Sequence, residues 1–315
     1  MKGYCVYKDF SLTAISYLKT NGIDIEFGQD TERPDALRIA ELLSEYEVLI
    51  IGTKENITDD MFKITSALKI LATVSRGTQH IGEAFKKSSG ITVINDDSQA
   101  ETDSAAEHTL ALIMALQKKL LVSDDLTRVN RERIFKEYNV RNLSMQKVGV
   151  IGAGKIGTKV MHILKRLGVD VLCYTKSPQN HIELLKKGIS FVSLEELAKV
   201  CDIISVHLPL DAQTKSLISK PLLETMKPDI CLINTSGLDI FDRKALVDFI
   251  GNNKQAMIGF DLNDEEAGYL KQYISPPSII TPHMATLTQD TRENIDFAIA
   301  KKIVYAKNKF ALHNS

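Results

Sequence analysis

"KVGVIGAGKIGTKVMHILKRLG", residues 147–168, decides the fold. An apolar strand over 148–151 runs straight into Gly152, Gly154 and Gly157, spaced as G-x-G-x-x-G, and a helical pattern follows. The first glycine allows a tight turn, the second admits a pyrophosphate to the backbone, and the third lets helix and strand pack closely. The free N–H groups and dipole of the helix start favour phosphate there. Gly152, Gly154, Lys155, Ile156 and Gly157 are therefore the expected phosphate edge of a dinucleotide site.

Outward from that stretch the pattern repeats. Strands are expected at 148–151, 169–174, 203–207, 230–234, 257–261 and 278–281, alternating with helices. Before it, "YCVY", "IDIEF", "EVLIIG", "KILATVS" and "ITVIN" form a second alternating series. A long helix is expected over 102–121, then a charged arm or linker ("SDDLTRVNRERIFKEYNVRNLS"), and a last helix over 288–307 that packs back on the first domain. Alternation of this kind implies βαβ units and parallel sheets. The fold class is α/β, with two Rossmann-like, doubly wound parallel-sheet domains.

Composition narrows the function. The 315 residues are 44% hydrophobic and 25% charged, as in a soluble globular protein, and the formal net charge is −1. No basic cluster supports nucleic-acid binding. No apolar run is long enough for a membrane span and no signal peptide is read at "MKGYCVYKDF", so a cytoplasmic location is expected. Cys5, Cys173, Cys201 and Cys231 lie in apolar runs without C-x-x-C spacing, which points to buried thiols and no metal site.

The strand after the glycine turn bears on the cofactor. NAD sites usually carry an acid at that strand's end for the ribose 2′-hydroxyl. Here the end reads Thr175, Lys176, Ser177, and Asp170 lies at the strand's start. A lysine between hydroxyls suits a 2′-phosphate, so NADP is favoured over NAD. Later strand ends supply His207, Leu208 and Pro209, with Thr214 behind them, then Thr235, Ser236 and Gly237, then Asp261 with Glu266 beyond it, and finally His283 in "TPH". In doubly wound sheets such carboxyl ends converge on the ligand. A histidine there with a carboxylate nearby is an acid–base candidate.

"VGVIGAGKIG", "CDIISVHLPL…T", "MKPDICLINTS", "GFDLNDEE", "TPH" and "AAEHTLAL", in this order, resemble the D-isomer-specific 2-hydroxyacid dehydrogenase family along nearly the whole chain. The resemblance implies a discontinuous substrate domain (1–102 and 284–315), a dinucleotide-binding domain (103–283) inserted in it, and a homodimer built through the cofactor domain and its arm. It implies His283 as general acid/base, Glu266 as its carboxylate partner, and a substrate loop at Ser75, Arg76 and Gly77. Hydride would pass between the nicotinamide and a 2-oxo or 2-hydroxy acid, or a related atypical substrate.

One departure stands out. "NTSGLDIFD" keeps the family register at Asn234, Thr235, Asp239 and Asp242, so the family's catalytic arginine falls on Gly237 and its glycine on Leu238. That arginine pairs with the substrate carboxylate and polarises the carbonyl. Arg243 is expected on the following helix; Arg76 or a group on the substrate is the replacement considered. The rival expectation is a catalytically weak dinucleotide-binding sensor or regulatory partner. Ala267 also replaces the proline usual after the family's acidic pair.

Overall fold

The computed structural model describes residues 1–28, 34–52, 55–75, 77–96, 98–128, 140–275 and 277–313. It divides into two compact units, Met1–Ala100 with Thr288–Ser315, and Glu101–Leu287.

In the first unit, β1 (Lys2–Cys5), β2 (Asp24–Phe27), β3 (Val48–Ile51), β4 (Ile70–Thr73) and β5 (Thr92–Ile94) form a parallel sheet in the order β2-β1-β3-β4-β5. Strands β3 and β4 are buried along their whole length, as apolar strands covered on both faces must be. One face packs Cys5, Leu18, Val48 and Ile50 against Ile295, Ile299 and Ile303 of the helix Gln289–His313. The other packs Leu49 and Ile51 on Leu42, Leu43 and Phe85. The C-terminal helix is also tied by polar contacts. Asp296 Oδ2 accepts the Ser11 N–H at 2.8 Å, and Lys302 Nζ donates to the Asn95 carbonyl at 2.9 Å.

In the second unit, β6 (Lys147–Ile151), β7 (Asp170–Tyr174), β8 (Ser190–Phe191), β9 (Ile203–Val206), β10 (Cys231–Asn234), β11 (Met257–Asp261) and β12 (Ile279–Thr281) are all parallel, in the order β12-β11-β10-β9-β6-β7-β8. Strand order reverses between β6 and β9, which puts the ligand crevice outside Ile151 and Val206. The two-residue β8 was not expected from the sequence; it pairs Ser190 and Phe191 with Leu172 and Cys173. The helix expected over 102–121 is two helices, Ala100–Gln117 and Leu120–Arg128, broken where Lys119 takes φ +49°. Of the charged arm, residues 129–139 lie outside the described residues.

All four cysteines are free and buried. Burial pushes the Cys173, Cys201 and Cys231 thiols up to about 12 and holds Cys5 well above its usual value. Among the described residues no helix is long and apolar enough to cross a membrane, and no group of three metal-ligating side chains occurs.

Asp296 is fully buried, and its Oδ1 has no hydrogen-bond partner among the described residues. Burial raises its pKa from 3.8 to about 6, against the lowering effects of the Ser11 N–H and Arg292, while Asp9 and Glu293 add to the rise. The folded state therefore holds this proton more tightly than the unfolded chain. The stability linked to it is fully present below about pH 4 and is lost as pH rises through about 6. Asp296→Asn keeps an acceptor for Ser11 and removes the buried charge. It should raise the urea midpoint near neutral pH, by about 2 kcal/mol in stability, with the gain fading toward pH 4. Denaturation at both pH values checks this; an equal or opposite effect at the two would refute it.

Candidate active site

The glycine turn is built by close backbone approaches. The Gly152 N–H donates to the Tyr174 carbonyl at 2.8 Å, and Gly152 sits at φ +106°, where a Cβ would lie 2.3 Å from the His207 carbonyl oxygen. A Cβ on Gly157 would lie 2.1 Å from the Gly152 carbonyl oxygen, so the helix Lys155–Arg166 presses directly on the turn. Gly154 is the N-cap of that helix and has no side chain to satisfy its first N–H groups. Apart from its own stretch of chain, no described atom comes within 4 Å of the Cβ it lacks. Two glycines close the turn and the third leaves its mouth open, with Lys155 exposed and Ile156 half-buried beside it. A diphosphate fits this arrangement.

Around the turn, β7 ends at Tyr174 with Thr175 and Ser177 half-buried and Lys176 exposed. Asp170 opens the strand, so no acid stands at its end. Lys176 Nζ donates to Gln213 Oε1 at 2.8 Å, reaching the loop after β9. Thr214 is buried there; its hydroxyl donates to the Pro209 carbonyl at 2.6 Å and accepts the Asp211 N–H at 2.8 Å. Thr214 thus shapes the His207-Leu208-Pro209 loop. The Asp211 carboxylate accepts the Gln213 and Thr214 N–H groups, which hold it below its usual range.

His207 is buried, with Nε2 on Ser205 Oγ at 2.8 Å and Nδ1 without a partner. Burial pushes its pKa down to about 4, so it stands neutral at pH 7. Ser236 ties this loop to the next one, since its hydroxyl donates to the Val206 carbonyl and accepts the Leu208 N–H. Thr235, Ser236 and Gly237 are half-buried, and Asn234 folds their turn by accepting the Ser236 N–H and donating to the Gly237 carbonyl.

Gly237 adopts φ +96°, ψ 152°, a region open essentially to glycine alone. Leu238 beside it is fully buried in the core. Torsional freedom thus stands at 237 and bulk at 238. A Cβ on Gly237 would lie 3.5 Å from Glu266 Oε1, and that oxygen accepts the Leu238 N–H at 2.7 Å. Glu266 Oε2 accepts the Asn263 N–H at 3.3 Å, while the Asn263 side chain accepts the Glu266 N–H at 3.0 Å, a reciprocal cap on the helix Asp264–Leu270. No hydrogen bond or ion pair among the described residues joins Glu266 to His283 or to a cation. Arg243 lies on the following helix and is committed to Asp239 at 2.6 Å and Glu265 at 3.9 Å.

His283 is exposed on a turn at φ +49°, two residues past β12. That turn hangs from Asp261. Its Oδ1 accepts the Thr281 hydroxyl at 2.5 Å and the Met284 N–H at 2.8 Å, and its Oδ2 accepts the Ala285 N–H at 2.8 Å. His108 Nε2 meets Thr281 Oγ1 at 2.9 Å, and Ser104 Oγ donates to the Ala285 carbonyl at 2.8 Å. Asp261 was read from the sequence as a cofactor contact; here most of its capacity goes into holding the histidine turn. The sequence gives no sign of the roles of His108 and Ser104, although "AAEHTLAL" contains His108 and Ser104 directly precedes it. The Asn263–Glu266 cap was readable as N-x-x-E ahead of an apolar run.

In the other unit the Ser75 hydroxyl donates to the Gly77 carbonyl at 2.5 Å and meets Thr73 Oγ1 at 3.0 Å, which turns it into its own loop. Arg76 lies outside the described residues.

Residues 110–285 match the sequence profile described as "D-isomer specific 2-hydroxyacid dehydrogenase, NAD binding domain". The chain is 27% identical to the D-3-phosphoglycerate dehydrogenase of Archaeoglobus fulgidus over 98% of its own length, and spans 58% of that relative. A D-lactate dehydrogenase from Aquifex aeolicus, solved with NAD and lactic acid, is 28% identical with a TM-score of 0.77, covering 99% of this chain and 97% of that one. An acyclic imino acid reductase (Bsp5), solved with NADPH and D-Arg, is 27% identical with a TM-score of 0.79, covering 96% of each chain. With its glycine turn, its seven-stranded sheet and a profile match over more than half its residues, the chain belongs to the D-isomer specific 2-hydroxyacid dehydrogenase family.

Proposed function

We propose that this protein is an NAD(P)-dependent oxidoreductase acting on a 2-oxo or 2-hydroxy acid or an atypical relative of one. The observation that carries the reading is the open-mouthed glycine turn at the same carboxyl sheet edge as an exposed histidine on an anchored turn. The bound nicotinamide supplies hydride chemistry. The chain's own residues do the rest. Gly152, Gly154, Lys155, Ile156 and Gly157 hold the diphosphate, and His283 gives or takes the substrate proton. Glu266 supplies the negative charge of that edge and pairs with the His283 ring once substrate draws the two together. Residues 1–102 and 284–315 serve as the substrate domain, where Ser75, Arg76 and Gly77 receive the carboxylate, and residues 103–283 as the cofactor domain. The protein works in the cytoplasm as a homodimer. Gly237 in place of the family arginine favours a second reading, a dinucleotide-binding sensor with little turnover; the family relation to a reductase solved with D-Arg favours an enzyme with a shifted substrate.

NADP is the preferred cofactor, because Thr175, Lys176 and Ser177 offer a cation and hydroxyls where NAD sites carry an acid. NADPH should bind more tightly than NADH by fluorescence titration. Lys176→Ala should weaken NADPH about tenfold and leave NADH unchanged, the loss of one charge-assisted contact to phosphate. Tighter NADH binding in the wild type would end this assignment.

His283→Ala should lower turnover by about 10²–10⁴-fold, the usual worth of a positioned proton donor, with cofactor affinity within a few-fold of wild type. Glu266→Gln should shift the pH–rate profile of the remaining activity, since the proposed pairing of Glu266 with the His283 ring in the substrate complex loses its negative charge. Steady-state kinetics across pH measure both; full turnover in His283→Ala removes this histidine from the chemistry, and with no turnover in the wild type the sensor reading stands.

A further inference from the structure

We propose that the Gly237–Glu266 edge selects a protonated imine, so that the protein reduces the C=N bond of an imino acid formed from a 2-oxo acid and ammonia or an amine. This rests on the oxidoreductase reading above and names its substrate class. The argument is electrostatic. Hydride addition to a ketone creates an alkoxide, and a fixed cation at the position of residue 237 is what stabilises it. Here that position has no side chain, and the nearest charged group is the carboxylate of Glu266, whose Oε1 stands 3.5 Å from where a side chain would begin. Arg243 does not supply the cation, since Asp239 and Glu265 hold it. A developing oxyanion beside a carboxylate that no described cation bonds directly is disfavoured.

A protonated imine reverses each of these terms. It brings its own positive charge, so hydride arrival removes charge instead of creating it. A neighbouring carboxylate raises the protonated fraction of the imine and accepts its N–H. Glu266 has the capacity to do so, since Oε1 and Oε2 each accept one backbone N–H and a carboxylate offers about four acceptor sites. Glu266 is 8% exposed, so the contact is made in a largely dry environment. The step balances. The hydride pair from C4 of the reduced nicotinamide forms the new C–H bond, and the C=N π pair becomes the nitrogen lone pair. The nicotinamide leaves oxidised, and the amine then takes one proton to become an ammonium. The backbone at 237 supports the same conclusion, because a φ of +96° strains any residue with a side chain and so disfavours a cationic side chain at this position.

The test uses the whole protein saturated with oxidised cofactor, and calorimetric binding of a D-2-amino acid and the D-2-hydroxy acid with the same side chain. The amino acid should bind at least about tenfold more tightly, the worth of one charge-assisted contact, and Glu266→Gln should erase that preference. Glutamine keeps an acceptor for the Leu238 N–H, and its thermal midpoint reports whether the helix cap survives. In parallel, the wild type with NADPH, a 2-oxo acid and ammonium should yield more amino acid than hydroxy acid. Equal or tighter binding of the hydroxy acid, or hydroxy acid as the main product, overturns the proposal while leaving the oxidoreductase reading intact. A preference that survives Glu266→Gln overturns the role of this carboxylate. Failure to bind either cofactor strikes the oxidoreductase reading itself.

Discussion

The second unit depends on how closely backbone meets backbone at one turn. The Gly157 Cα lies against the Gly152 carbonyl, and the Gly152 Cα against the carbonyl of His207, at separations that leave no room for a methyl group. These two approaches lock β6, the helix Lys155–Arg166 and the end of β9 into one rigid corner. From that corner the rest of the carboxyl edge is tied loop to loop. Gly152 holds the end of β7 through Tyr174, the Leu208 N–H reaches Ser236, and Asn234 folds the turn that ends in Gly237. A ligand edge assembled this way is preorganised, because its geometry is set by packing rather than by the ligand.

Against this rigid side stands an edge where single carboxylates do two jobs. Asp261 collects a hydroxyl and two N–H groups and so fixes the turn of His283. Glu266 caps its own helix and at the same time accepts the N–H that follows Gly237. Next to it, the Ala267 N–H bonds to the Asn263 carbonyl as an ordinary helical residue. With that N–H available, the helix closes its first turn and the capping carboxylate is held beside position 237. The cap of the helix Asp264–Leu270 and the turn at Gly237 therefore meet at one carboxylate.

Much of this was legible in the sequence, and the reasons for what was not are physical. The glycine turn is a local pattern with a steric cause, and it was read residue by residue. The strand ends were read from apolar runs, with β11 at Met257–Asp261 matching its expected bounds and its neighbours starting one residue later. The two residues of β8 carry no periodicity, and their pairing is imposed by β7. The break at Lys119 has neither glycine nor proline to announce it, since a positive φ at lysine is set by the packing on either side. The work of Asp261 arises only when β11 and β12 lie side by side and the chain beyond β12 curls back, which no single stretch encodes. The bond from the Leu238 N–H to Glu266 was likewise invisible, because spacing along the chain says nothing about which distant N–H groups a carboxylate meets.

The four buried thiols have a consequence for how this protein ages and how its motions are followed. With the Cys173, Cys201 and Cys231 thiols pushed up to about 12 by burial, the thiolate is scarce at neutral pH and peroxides and alkylating reagents find little to attack in the folded chain. Reagent uptake then waits on opening of the sheet that buries these side chains. Cys5 lies in the core of the first unit and the other three in the second, so each unit carries its own internal clock. The rate at which each sulfur is labelled reads the opening of its own domain.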